Sequence, residues 1–237
     1  MYRSFCIILF MITGQLVCAA DLGQIIFEDD FERTESQEKT DEPGNGWGTN
    51  SNSRAQGDKQ VDLKDGTMRI FISPRADHGV SVTHPMAFTD GAVALRFKLE
   101  SPQDSLGLNF ADLSFKGVHA GHLFVVKISP KKVELTDLKT GNMRIDIRTA
   151  RTEKQVLTQE QKQALVGKSK KLNHTTSVNQ WHDLLVTVTG DTLSLTIDRQ
   201  AIGAFHSPGI AHPTKRLLRL AVPKNAVVDD VTIYRTK

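Results

Sequence analysis

The chain has 237 residues, 39% of them hydrophobic, with 30 Lys and Arg against 27 Asp and Glu for a formal charge of +3. So slight a basic surplus excludes the broad cationic field of a nucleic-acid-binding protein. The length suffices for one all-β domain with a sizeable core.

Residues 1–20 read as a cleavable secretion signal. Arg3 precedes an apolar run from Phe5 to Ile12, Gly14 and Gln15 interrupt it, and Ala19 and Ala20 stand before Asp21. The run is too short to span a bilayer, which takes about 20 apolar residues. The expected product is a secreted or periplasmic domain over 21–237 with no transmembrane segment. Both cysteines, Cys6 and Cys18, fall inside the signal. The mature chain would then have no disulfide and no thiolate metal site, and packed sheets must hold it.

Residues 33–59 are polar and rich in Glu, Asn, Gly and Ser, and predict a long surface loop. Trp47 sits there among Gly44, Gly46 and Gly48, either tucked against the core or free to stack on a ligand. Strands follow. Val61–Leu63 leads through Lys64-Asp65-Gly66 into Thr67–Ile72, and Gly79–Thr83 is β-branched. Ala92–Leu99 alternates Val93, Leu95, Phe97 and Leu99 against Arg96 and Lys98. Leu106–Phe110, Leu113–Phe115, His122–Ile128 and Lys132–Asp137 come next. Thr158-Gln159-Glu160-Gln161 is a capping-box sequence and predicts a short helix over 159–166. Lys168, Lys170 and Lys171 read as a solvated loop or helix end. The pattern closes with Leu184–Thr189, Thr192–Asp198, Leu217–Val222 and Val227–Tyr234. Short strands at short spacing indicate an all-β sandwich or barrel.

Turn geometry suggests a polar row. A Pro130-Lys131 turn pairs Ile128 with Val133 and Val126 with Leu135, and sets Lys127 opposite Glu134. A hairpin about residues 102–103 would set Arg96 opposite Asn109, and a bulge near Ala111-Asp112 would bring Asn109 beside Lys127. Arg96, Asn109, Lys127 and Glu134 then form one row across a sheet. That row is either an ordinary solvent face or a set of hydrogen-bonding groups for a sugar. A one-residue register error would destroy it.

Several segments taken together resemble a known family. These are Phe27-Glu28-Asp29-Asp30-Phe31-Glu32-Arg33, Trp47, Lys64-Asp65-Gly66-Thr67-Met68, Trp181-His182-Asp183-Leu184, Gly190-Asp191 with Ile197-Asp198, and Val228-Asp229-Asp230-Val231-Thr232-Ile233. Their order resembles exported bacterial domains of the concanavalin A-like lectin/glucanase superfamily, closest to those grouped with 3-keto-disaccharide hydrolases. The resemblance implies a two-sheet antiparallel jelly roll with neighbouring first and last strands and a concave sheet able to hold a glycan. It supplies no catalytic residue.

Glu28, Asp30 and Glu32 match the E-x-D-x-E spacing of laminarinase-type retaining glycosidases. However, Asp29 stands where that family has an apolar residue, and the segment opens the fold in place of forming a central strand. If the terminal strands are adjacent, Asp29, Asp30, Asp229 and Asp230 come together as hard oxygen ligands suited to a structural Ca²⁺. The other reading is of solvated carboxylates guarding a sheet edge. His119 and His122 form the closest histidine pair, a candidate metal or general-base site. Trp181 reads as a core anchor, which leaves Trp47 as the stacking candidate. The leading expectation is a carbohydrate-binding domain. A glycoside-processing enzyme acting on 3-keto or related sugars, and a structural or protein-interaction domain of the cell envelope, are the alternatives.

Overall fold

A computed structural model describes residues 22–237, so the predicted signal and both cysteines lie outside the described residues. Among the described residues, fifteen strands make two antiparallel sheets packed face to face in a jelly-roll sandwich. They are β1 (Gln24–Asp29), β2 (Gly48–Thr49), β3 (Val61–Lys64), β4 (Thr67–Phe71), β5 (Val80–Phe88), β6 (Gly91–Lys98), β7 (Leu106–Ala111), β8 (His122–Ser129), β9 (Lys132–Asp137), β10 (Ser169–Asn173), β11 (His182–Thr189), β12 (Thr192–Ile197), β13 (Gln200–His206), β14 (Lys215–Val222) and β15 (Asn225–Arg235). The first sheet runs β13-β12-β11-β6-β15-β4-β3, and β1 also pairs with β15. The second runs β10-β9-β8-β7-β14-β5-β2.

Period-two alternation explains the layering. On β6, Val93, Leu95 and Phe97 are buried while Ala94, Arg96 and Lys98 are half-exposed. On β8 and β14 the inward residues are Phe124, Val126 and Ile128, and Leu218, Leu220 and Val222. These side chains fill the space between the sheets. Each large one buried contributes about 1.5–3 kcal/mol, and none of that depends on a crosslink. The long last strand β15 pairs with β4 through Asn225–Val228 and with β1 through Val231–Arg235, so the terminal strands are neighbours.

The Pro130-Lys131 turn stands where the spacing predicted it: Ser129 pairs Lys132, Val126 pairs Leu135 and Lys127 faces Glu134. The capping box also forms, with Thr158 Oγ1 accepting from Gln161 N and the Gln161 side chain accepting from Thr158 N. Its helix, α3, spans Gln159–Ala164. It follows two others, α1 (Ser51–Arg54) within the long loop and α2 (Ile145–Thr152).

Three sequence expectations need correction, and one strand had no expectation at all. Residues 102–103 do turn, but the turn carries the chain between sheets. Asp104 Oδ2 accepts from the Glu100 and Ser101 N–H groups, and β6 and β7 never pair. Leu113–Phe115 is not a strand, because Asp112 Oδ1 accepts from Ser114 N and Oγ and bends the chain there. Of the lysine run, Lys168 stays in the loop, its ammonium 3.8 Å from Asp137, while Lys170 and Lys171 lie on β10, an edge strand whose ammonium groups discourage pairing with another chain. Finally β13 follows Asp198 and Arg199, both at positive φ in a two-residue turn, a conformation usually signalled by Asn or Gly.

Candidate functional site

The outward face of the second sheet carries a concavity lined by residues of several strands. Registers across six strands align two rows. One runs Ser81, Ala221, Gly107, Lys127, Glu134, Lys171. Beside it run Thr83, Arg219, Asn109, Val125, Thr136, Ser169. At the centre of the first row Gly107 and Ala221 are neighbours, so small that the sheet surface dips. Even a Cβ added at Gly107 would meet the Ala221 Cβ at 3.4 Å. The result is a groove of about 330 Å³ whose apolar floor includes Val125, Ala221 and Pro223. His78, Ser81, Asn109, His122, Lys127 and Arg219 supply its polar groups. That volume falls within the roughly 300–1,000 Å³ of small-ligand sites.

The loop before β8 orients the polar wall. Ala120 and Gly121 take φ of 49° and 70°. A side chain at Gly121 would collide with Asp112 O at 2.5 Å, so glycine is required at this close approach. The turn aims Ala120 O at Arg219, which donates to it from Nη2 at 2.8 Å. His122 Nδ1 lies 3.1 Å from Arg219 Nη1 and 3.1 Å from Asn109 Oδ1. A guanidinium only donates, so Nδ1 accepts and Nε2 carries the ring proton. The Asn109 amide then satisfies the same nitrogen by turning its NH2 group inward, since amide orientation follows the hydrogen-bond network. Burial, then the charge of Arg219, pushes the His122 pKa down to about 4, so the imidazole is neutral at physiological pH. Asp112 braces the same loop. Its Oδ2 accepts from His212 Nε2 at 3.0 Å, and bonds from Ser114 and His212 outweigh burial to hold its pKa at about 2.

The predicted row is therefore reassigned. Asn109, Lys127 and Glu134 share this face, and Lys127 and Glu134 are direct cross-strand neighbours. Arg96 is on the first sheet, opposite Asp183 and Asp229; the arginine opposite Asn109 is Arg219. The bulge lies between Phe110 and Ala111, and Asn109 faces Val125, one pair away from Lys127. Trp47 is no stacking platform. It is buried to 7% exposure, and its Nε1 donates to Asp29 Oδ2 at 2.7 Å. Trp181 is the more exposed tryptophan, with the Arg96 guanidinium 4.9 Å and the Lys98 ammonium 5.2 Å from its ring centre. His119 and His122 stack with ring centres 6.4 Å apart, but His122 is committed to Arg219 and Asn109.

The terminal aspartates are brought to neighbouring strands, where Arg33 pairs with Asp29 and Arg96 with Asp229 and Asp230. Both Asp29 oxygens are taken. Arg33 Nη1 donates to Oδ1 at 2.6 Å and Nη2 to Oδ2 at 3.0 Å, while Phe31 N and Trp47 Nε1 complete the set. Burial raises the Asp29 pKa, but these bonds, that of Arg33 foremost, outweigh it and hold the carboxyl below its usual range. A bulge with Asp230 at φ 49° turns Asp229 and Asp230 toward Arg96 Nη1, at 3.2 and 3.4 Å. Three of the four aspartates thus face guanidinium groups, and Asp30 accepts from Glu32 N at 3.2 Å. Among the described residues, the carboxylates that come within one ion's reach are Glu35, Glu38 and Asp62. Their centre is held by the Lys59 ammonium, at 2.7, 2.7 and 2.5 Å. Glu28, Asp30 and Glu32 share no strand face, because β1 ends at Asp29 and Phe31 takes a left-handed φ of 55°.

No protein-family model and no curated protein matches the sequence. Solved structures do match in fold. The laminarinase from Rhodothermus marinus is 13% identical with a TM-score of 0.58, over 90% of this chain and 97% of that one. SCLam, a non-specific endo-β-1,3(4)-glucanase from family GH16, is 14% identical with a TM-score of 0.57, over 90% and 91%. The carbohydrate-binding module CBM66 from Bacillus subtilis is 11% identical with a TM-score of 0.51, over 80% and 95%. The fold is the concanavalin A-like jelly roll.

Proposed function

We propose that this protein binds a glycan, outside the cytoplasm, in the groove over Gly107 and Ala221. The observation that carries the reading is the groove itself: a small-residue floor where a sugar ring can lie flat, with Asn109, His122, Arg219 and Lys127 converging along its walls. An apolar floor with a few placed hydrogen-bonding groups is how proteins orient small ligands. The basic, apolar and small-residue order of residues 1–20 supports export. Among the described residues, no helix is long and apolar enough to cross a membrane.

Binding suits this lining better than hydrolysis of 3-keto or related sugars. Glycosidic cleavage by paired carboxyls needs them roughly 5–9.5 Å apart, and the residues lining the groove supply donors, an amide and imidazoles. The carboxylate next along the row, Glu134, faces Lys127 and lies 3.8 Å from Lys132 Nζ.

The test is a glycan screen that includes keto-sugars, followed by calorimetry and a product assay on each hit. Asn109→Ala should weaken binding about tenfold, the loss of one or two hydrogen bonds. Ala221→Phe, which fills the floor from a half-exposed position, should abolish it. Arg96→Ala, on the other sheet, should change nothing. Affinity that survives Ala221→Phe, or turnover of a bound sugar, would overturn the proposal.

A further inference from the structure

The charges of the groove indicate which sugars it takes, an inference that rests on reading the groove as a glycan site. Arg219 is half-buried at the middle of the second sheet, and burial works against its charge. Such a charge is ordinarily repaid by an ion pair. Among the described residues, however, no carboxylate lies within salt-bridge distance of Arg219. Its two hydrogen bonds go to Ala120 O and His122 Nδ1, both neutral acceptors. The contrast with Arg96, paired to Asp183, Asp229 and Asp230 on the opposite sheet, is direct.

The second cation at the groove is Lys127. The residue opposite it, Glu134, forms its ion pair with Lys132, at 3.8 Å, and among the described residues no carboxylate lies within salt-bridge distance of the Lys127 ammonium. The groove is left with a net positive charge and with N–H groups of a planar guanidinium to spare. A guanidinium fork fits a carboxylate in two parallel hydrogen bonds. Asn109 and the protonated Nε2 of His122 stand beside it for the hydroxyls of a ring.

We propose that the ligand is an acidic glycan built on uronic acids, with one sugar carboxylate seated on Arg219. The probes are oligomers of galacturonic, glucuronic, mannuronic and guluronic acid, each compared with its own methyl ester, which keeps the ring and hydroxyls but removes the charge. Sulfated and neutral oligosaccharides complete the set, and calorimetry is run at 50 and 500 mM NaCl. At least one uronate oligomer should bind tenfold or more tighter than its ester at low salt, and the gap should narrow at high salt. Arg219→Gln should close it, whereas Arg219→Lys should keep a reduced preference. Equal affinity for acid and ester, or a preference that Arg219→Gln retains, would overturn the assignment. A sulfated ligand bound more tightly than every uronate would overturn its carboxylate form. Neutral glycans alone, lost on Ala221→Phe, would overturn it while the groove reading stands, and no glycan binding at all would end both. Should Arg219→Gln fail to fold, the acid–ester comparison on the unaltered protein still decides.

Discussion

His122 ties the stability of this fold to pH through the groove. Folded His122 takes its proton near pH 4, against 6.5 for an unperturbed imidazole, because burial and then Arg219, His119, His78 and Arg148 oppose a second charge there. Between those values the unfolded chain binds the proton and the folded one does not, so stability falls as pH drops from about 6.5 to about 4 and this contribution levels off below. A displacement of that size corresponds to about 3 kcal/mol. Screening at the open mouth of the groove reduces this to roughly 2–3 kcal/mol. The comparison is between the protein and His122→Gln, unfolded in urea at pH 7, 6, 5 and 4. Burial also lowers His84, His174 and His212, and these titrate alike in both proteins, so the difference between the curves isolates His122. The unaltered protein should lose roughly 2–3 kcal/mol more than the variant over this range. Parallel curves would refute the assignment of His122 as a neutral acceptor for Arg219.

Asp29→Ala removes the carboxylate that Arg33, Trp47 and Phe31 N share. It should cost about 3–5 kcal/mol, the range for breaking a buried pair, with a shift in Trp47 fluorescence before global unfolding. Chelator should leave the unfolding midpoint of the unaltered protein in place, since guanidinium and ammonium groups already pair with its carboxylate clusters. In Lys59→Gln, by contrast, Glu35, Glu38 and Asp62 lose their ammonium, and millimolar calcium should raise a lowered melting temperature. No calcium response there would show that these carboxylates move apart once the lysine is gone. Thr158→Ala should cost about 1 kcal/mol of local stability, read as faster amide exchange over Gln159–Ala164 with little change in the global transition.

What was legible in the sequence was whatever local chemistry decides. The alternation of Ala92–Leu99, the Pro130-Lys131 turn and the capping box at Thr158 each depend on residues a few positions apart, and each forms. The sandwich and the adjacency of its terminal strands followed from the number of strands and from the resemblance to concanavalin A-like domains. Hidden features rested on distant partners or unusual backbone. Asp198 and Arg199 make a left-handed turn without glycine or asparagine, so β13 had no signal at its start. The glycines around Trp47 left open whether it packs in the core or stacks on a ligand, and Asp29, eighteen residues earlier, decides it by binding the indole and fixing it in the core.

The two arginines show why the site was harder to read than the fold. Arg96 and Arg219 occupy the same local pattern, an outward position between inward apolar residues: Leu95 and Phe97 in one case, Leu218 and Leu220 in the other. Nothing within either strand distinguishes them. Strand order does. β6 lies between β11 and β15, which bring Asp183, Asp229 and Asp230 to Arg96 and neutralise it. β14 lies between β7 and β5, which set Asn109 and Thr83 beside Arg219, while Gly107 and Ala221 in the adjoining row open the space before it. An outward arginine is therefore held in ion pairs on one sheet and left without a carboxylate partner, facing a groove, on the other. The difference arises from the insertion of a strand more than a hundred residues later in the chain between β7 and β5.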